Sequence, residues 1–289
     1  MTVISFASCR ARLIEYGSLI RLDRPIGFYL LLWPTLTALW IASNGHPTAK
    51  LVIIFTLGTG LMRCAGCAIN DFFDKDFDPH VKRTSQRPLA KKAIFPQEAL
   101  GIFCFLIICA FCLVLKTNLF TLFLSCIALL LASLYPLAKR FFNFPQVMLG
   151  AAFAWAIPMA FSATLNTIPH YAWLLYFATL FWTIAYDTLY AMADLEDDQK
   201  IGIKSLARFL GKFNHSAVLA LHALTILLLV ILGVTRHFGV IYFLGLSLAT
   251  VNAIHQQFII QQKTPSAYLR AFFNNHWMGL TVFIAVIAS

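Results

Sequence analysis

The sequence predicts an all-α, polytopic membrane protein, and three observations lead there. Of 289 residues, 60% are hydrophobic and only 12% charged, against about a quarter charged in soluble domains. The apolar residues come in long blocks rather than the short alternating runs of a strand. In lipid, only helices and closed barrels satisfy their own backbone, and these blocks have helix length.

Runs of about 20 apolar residues give nine expected spans, with cores at 26–43, 51–70, 98–115, 118–138, 146–164, 172–193, 214–235, 239–260 and 268–288. Asn274, Asn275 and His276 interrupt the last one. The two long polar connections, roughly 71–97 and 194–213, follow the second and sixth spans. The whole chain, 1–289, is expected to form a single transmembrane domain around a central cavity, with those connections capping a site.

Lys and Arg set the orientation. An N-terminus in the cytoplasm puts 18 of the 22 basic residues on that side. They are Arg10, Arg12, Arg21 and Arg24 before the first span, six residues from Lys75 to Lys92, then Lys139 and Arg140, Lys200, Lys204, Arg208 and Lys212, and Lys263 and Arg270. Lys50, Lys116 and Arg236 fall on the other face, and Arg63 lies within the second span. Nine spans then leave the C-terminus outside. The net charge of +10 therefore reads as topology and not as a nucleic-acid footprint; the bilayer is the expected partner. The N-terminus has no small-residue cleavage site behind a short apolar core, so no removable signal peptide is expected. Most of the seven Cys lie inside spans. The Cys64/Cys67 pair has no second pair or His cluster to make a zinc site, so these thiols are expected to pack against neighbouring helices.

Acidic residues are more unevenly placed still. Four of the twelve stand in INDFFDKDFD at 69–78 (Asp71, Asp74, Asp76, Asp78), and five at 187–198 (Asp187, Asp194, Glu196, Asp197, Asp198). Both clusters end a span on the cytoplasmic side, four spans apart, which suggests an internal repeat of a four-helix unit with the site between repeats. At 100° per residue a continuing helix places Asp71, Asp74 and Asp78 within about 60°, with Asn70 beside them and Asp76 pointing away. Asp187, Tyr190, Asp194, Asp197 and Asp198 share an arc of about 100°.

Carboxylates gathered this closely repel unless cations neutralise them. An oxygen-only set suits Mg²⁺, which is held by few carboxylates plus substrate phosphates. Two such stripes among Lys and Arg suit a diphosphate. The bland alternative is a solvated helix end facing basic loops. A cation or proton transporter is the other functional class, although transporters place their acids nearer the bilayer midplane.

NDFFDKDFD at 70–78 resembles the N-D-x-x-D-x-x-x-D motif of the UbiA-type intramembrane aromatic prenyltransferases, and YDTLYAMADLEDDQKIGIKS at 186–205 resembles their second Asp-rich motif. LDRPIG (22–27), LWPT (32–35), KRTSQRPL (82–89), YPLAKR (135–140), PQVMLG (145–150) and FFNN (272–275) are further matches, while Leu206 stands where the family pattern has Thr. Within the family the likeness is greatest to the members that prenylate 4-hydroxybenzoate in the ubiquinone pathway. The resemblance implies Mg²⁺-dependent transfer of a polyprenyl chain from its diphosphate to the ring carbon ortho to the acceptor's hydroxyl; the lack of an Arg/Ser-rich presequence favours a bacterial inner membrane over a mitochondrial one. A different aromatic acceptor is the nearest alternative.

The same resemblance implies roles residue by residue. Asn70, Asp71, Asp74 and Asp78 would hold one Mg²⁺, and Asp194 and Asp198 another, with Asp71, Asp74, Asp194 and Asp198 the catalytic carboxylates. Lys82, Arg83, Arg87, Lys139, Arg140 and Lys204 are candidates for diphosphate oxygens, and Asp187 and Tyr190 share the second cluster's face. Tyr135 is placed to pack against the aromatic acceptor. Arg63, seven residues before Asn70 and so about two turns deeper on nearly the same face, either pairs with an Asp or binds the acceptor's carboxylate. Arg24 is the other candidate for that carboxylate.

Overall fold

The computed structural model describes residues 6–81, 83–202 and 204–289. Lys82 lies outside the described residues, as do the side chains of Lys139 and Arg140. Every regular element among the described residues is helical. The main ones are α1 (Phe6–Leu19), α2 (Ile26–Ala42), α3 (Ala49–Asp74), α4 (Pro96–Val114), α5 (Leu119–Phe141), α6 (Pro145–Ala154), α7 (Ala156–Leu165) and α8 (His170–Ala193). They are followed by the short α9 (Leu195–Ile201) and α10 (Leu206–Leu210), and by α11 (Asn214–Thr235), α12 (Val240–Ile260) and α13 (Pro265–Ile287).

Each expected span coincides with a helix, except that the fifth is split into α6 and α7. Pro158 explains the split: its ring opposes the carbonyl four residues back, and Ala154 is where α6 ends. By length and composition six segments among the described residues can cross a membrane, and α2 is a shorter apolar helix. The nine expected spans thus coincide with helical segments, while length and composition return six membrane-crossing helices among the described residues.

Local chemistry sets the helix starts. Thr48, Asn118 and Thr264 cap α3, α5 and α13 by accepting from Leu51 N, Thr121 N and Ala267 N. Glu98 reaches back to Phe95 N at 2.6 Å and closes the start of α4.

Helix α8 is the axis of the bundle, packed by α6, α7, α11 and α13. Gly150 of α6 lets that helix approach closely, since a Cβ there would stand 3.0 Å from the Leu180 carbonyl oxygen. One of the polar residues that interrupt the last expected span, Asn275, is its interior anchor. Asn275 is fully buried; its carbonyl accepts from Trp182 Nε1 at 2.8 Å, and its amide donates to Gln256 Oε1 at 3.0 Å. His222 Nε2 stands 3.4 Å from the same carbonyl. One amide thereby ties α8, α11, α12 and α13.

A single interhelical hydrogen bond in a membrane protein is worth about 0.6 kcal/mol on average, so only a hub that removes several at once should be visible. Asn275→Leu is expected to cost about 2 kcal/mol, read as a lower thermal unfolding midpoint in detergent. Trp182→Phe, which deletes one bond, should lose less than half of that.

Candidate functional site

The first acidic cluster is built from two elements. Helix α3 stops at Asp74, and Asp78 returns in a short 3-10 turn, Asp78–His80. The continuous helix assumed from spacing is therefore corrected. Pro79 disfavours helical backbone at the residue before it, and the turn carries Asp78 back to the same place. Asp71, Asp74 and Asp78 are all buried, and Asp76 is exposed beside Lys75.

What gathers the three carboxylates is arginine. Arg87 Nη1 stands 3.1 Å from Asp71, 2.9 Å from Asp78 and 3.9 Å from Asp74. Arg21 Nη2 bonds both oxygens of Asp71, at 2.7 and 2.9 Å. Asn70 Nδ2 donates to Asp74 Oδ2 at 3.0 Å. Asp78 has its pKa raised, first by burial and further by Asp74 and Asp71, with Arg87 opposing. Burial opposes the charge of Arg87, yet Asp71 and Asp78 outweigh it and its pKa stands above the ordinary value.

The second cluster is likewise held by arginine. Arg83 forks onto Asp194, with Nε at 2.8 Å from Oδ1 and Nη2 against Oδ2. Its guanidinium lies over the Tyr190 ring, 4.3 Å from the centroid, and Nη1 bonds the Tyr190 hydroxyl. Burial opposes the Arg83 charge, and Tyr190 and Asp194 more than offset it, so its pKa also stands above the ordinary value. Arg83 and Arg87 come from one connection, between α3 and α4, which thus links the acidic ends of α3 and α8.

Here too the long arc expected from spacing is broken: α8 ends at Ala193 and Asp194 is its C-cap. Asp198 lies in the separate α9, where its backbone N–H donates to the Asp194 carbonyl at 2.9 Å. Asp197 pairs with Lys200 at 3.2 Å on the surface. Lys204 is not brought to either cluster; its Nζ donates to the Phe141 carbonyl at 3.2 Å.

Between the two clusters opens a cavity of about 570 Å³. Arg21, Asn70, Asp71, Arg83, Arg87, Asp187 and Tyr190 line its polar end. Tyr135, Tyr186 and Phe272 bring aromatic rings, and apolar residues of α4 and α5 carry it away from the charges as far as Thr117 and Thr121. Tyr186 and Tyr190 each pack on Phe272, with centroids 5.9 and 5.1 Å apart.

The two arginines proposed for a carboxylate are differently placed. Both line the cavity, but Arg24 is 65% exposed and stands 3.4 Å from Asp23. Arg63 lines the cavity, in contact with Cys67 Sγ and seated against Gly27, where any Cβ would overlap its guanidinium. Arg21 is the residue the sequence reading missed as a site residue. It lies one residue before the motif match at 22–27, but no spacing rule distinguishes it from the other topogenic arginines.

Among the described residues no group of three or more acids, His or Cys forms a ready metal cage. The donor set nevertheless fits a hard cation. It is all oxygen, buried, and arranged so that three carboxylates come within 4 Å of one positively charged atom, Arg87 Nη1. Arg21 and Arg87 offset two of the three negative charges.

The pattern of the UbiA prenyltransferase family matches residues 31–280. A 4-hydroxybenzoate octaprenyltransferase of Hahella chejuensis is 51% identical over 278 residues, covering 96% of this chain and 93% of the relative. The Pseudomonas aeruginosa enzyme of the same name is 48% identical over 282 residues, covering 98% and 95%. Among solved structures, a UbiA homologue from Aeropyrum pernix superposes with a TM-score of 0.80 at 25% identity, covering 90% of this chain and 97% of that one. A homologue from Archaeoglobus fulgidus, determined with GPP and Mg²⁺, shares the fold with a TM-score of 0.74 at 18% identity, covering 95% of this chain and all of that one. On the family match and on relatives that align over nearly its full length, the chain belongs to the UbiA prenyltransferase family.

Proposed function

We propose that the protein transfers a polyprenyl chain from polyprenyl diphosphate to the ring carbon ortho to the hydroxyl of 4-hydroxybenzoate, as the names of its relatives describe for them. The observation that carries this reading is the cavity itself. One end joins two carboxylate clusters through arginine, the other is apolar, and an aromatic wall lies between.

Asn70, Asp71, Asp74 and Asp78 would hold one Mg²⁺, and Asp194 with Asp198 a second. When bound, Mg²⁺ would supply the positive charge that makes diphosphate a good leaving group. Arg83 and Arg87, permanent cations with several donors each, would turn toward diphosphate oxygens, and Lys82, next to Arg83 in sequence, with Lys139 and Arg140 of the YPLAKR segment would add further positive charge. The allylic C–O bond breaks, the ring forms the new C–C bond, and the ring carbon loses its proton. Tyr190, Tyr186 and Phe272 present π faces to the cationic carbon, and the apolar walls keep out water that would quench it. The tail lies along α4 and α5, next to lipid.

Arg63 would hold the acceptor's carboxylate, supported by its part-buried seat against Gly27 and Cys67; Arg24 also lines the cavity but is 65% exposed and paired with Asp23. Gly27→Ala should then displace Arg63 and raise KM for the aromatic acid about tenfold, roughly 1.4 kcal/mol, with KM for the donor unchanged. Equal effects on both substrates would contradict that role.

The excess of basic residues in the expected cytoplasmic loops supports a multi-pass protein of the bacterial inner membrane, N-terminus and capping connections inside, C-terminus outside. The reading is tested by incubating the purified protein with 4-hydroxybenzoate, a polyprenyl diphosphate and Mg²⁺. A prenylated acid that disappears with EDTA supports it; no prenylated acid with any chain length, together with ion flux in sealed vesicles, would return a transporter to first place.

A further inference from the structure

Arg21 is a second cation on a carboxylate that already has one. Asp71, fully buried, is ion-paired with Arg87 Nη1 at 3.1 Å and also accepts from Arg21 through both its oxygens. Arg21 does this from an unusual backbone position. It sits just past α1 with φ +59°, a left-handed conformation disfavoured for a residue with a Cβ. The turn is closed by Leu22 N to the Gly17 carbonyl at 3.0 Å. Arg21 Nη1 bonds the Ser18 carbonyl at 2.8 Å, so the side chain folds inward over its own helix end. The result is a guanidinium in the cavity wall at the polar end, beside Asn70 and Arg87.

Helix α1 packs through Leu19 and Tyr16 in a small apolar cluster apart from the main core. Further ties are the Tyr16 hydroxyl, which donates to Glu98 Oε1 at 2.6 Å, and the pairs Arg12–Glu98 at 3.0 Å and Glu15–Lys91 at 2.7 Å.

We propose that Arg21 is a substrate-positioning residue that moves between two anionic partners: it neutralises Asp71 while the site holds no cation, and on loading it releases that carboxylate and binds a diphosphate oxygen of the prenyl donor. The proposal rests on the prenyl-transfer reading and adds to it a residue outside both Asp-rich motifs. Charge decides the direction. A divalent cation at Asp71 makes the second guanidinium there redundant and repelled, while the incoming diphosphate offers it new acceptors within the same cavity.

The test reads metal and donor separately, on the purified full chain in detergent. Arg21→Gly is the informative variant, because Gly adopts the positive φ without strain and the turn is kept. Without donor, Mg²⁺ binding measured by calorimetry should tighten about tenfold in Arg21→Gly, since the competing cation is gone. With Mg²⁺ saturating, binding of geranylgeranyl diphosphate should weaken about tenfold. Arg21→Lys, which keeps the charge but not the fork, should leave Mg²⁺ affinity near that of the wild type and weaken the donor less.

A purely structural role would weaken both ligands together. Mg²⁺ affinity that is unchanged or weaker in Arg21→Gly, or donor affinity that is unchanged, would overturn the proposal. Failure of the prenyl-transfer reading appears elsewhere, as wild-type protein that binds neither probe.

Discussion

Asp71→Asn should lower prenyl transfer by at least about a thousandfold, on the scale of losing a main source of leaving-group charge stabilisation, while the protein still inserts and folds. Asp71 is the most buried member of its cluster and the one shared by both arginines. Making it neutral removes a charge from the metal's ligand set and leaves Arg21 and Arg87 facing two carboxylates instead of three. The amide still accepts a hydrogen bond, and Arg87 keeps Asp78 at 2.9 Å, so the local fold has a way to persist. Asp194→Asn should be as severe, because it unseats Arg83 from the second cluster. Asp76→Asn is the matched control; Asp76 is exposed on the far side of the turn, and its activity should stay within about twofold, as for surface substitutions in general. Turnover measured by product mass checks all three, and activity retained by Asp71→Asn would remove that carboxylate from the mechanism.

The second large effect is on stability and carries a metal signature. Arg87→Ala leaves Asp71, Asp74 and Asp78 buried with Arg21 as the remaining cation described beside them. Breaking a buried ion pair by removing one partner typically costs about 3–5 kcal/mol. The thermal midpoint should therefore fall well below that of the wild type, and turnover should fall by roughly a hundredfold or more for loss of a diphosphate-binding group. Adding Mg²⁺ should raise the midpoint of Arg87→Ala more than that of the wild type, because the ion replaces charge that the variant lacks. Arg87→Lys should recover only part of the stability, since one ammonium cannot span the carboxylates that the guanidinium reaches. A midpoint indifferent to Mg²⁺ in Arg87→Ala would contradict the assignment of this cluster to metal.

Hydropathy located the helices, since apolar blocks of membrane length have few alternatives. The 3.6-residue period chose Asp71, Asp74 and Asp78 over Asp76 for the right faces, although the helix it assumed ends at Asp74. What periodicity could not supply was the pairing across the chain. Arg87 reaches Asp71 and Asp78, and Arg83 reaches Asp194, because a loop returns over two helix ends, and loop paths are not periodic. Arg21 was hidden for a sharper reason. Its role depends on one backbone angle of +59°, which turns it inward while Arg24, three residues on, faces solvent. Lys204, a basic residue in a motif, shows a placement that spacing does not give: its ammonium donates to the Phe141 carbonyl. Asn275 was read as an interruption of a span and is instead a four-helix tie, since burial with partners reverses the penalty on a polar group.

On this reading the acidic ends of α3 and α8 form a single metal–diphosphate site. Counting bound Mn²⁺ by electron paramagnetic resonance, with and without a non-reactive polyprenyl diphosphate analogue, tests it most directly. Wild-type protein should take up Mn²⁺ more tightly with the analogue present, and both Asp71→Asn and Asp194→Asn should lose that gain. Analogue-dependent metal uptake unchanged in either variant would contradict the account.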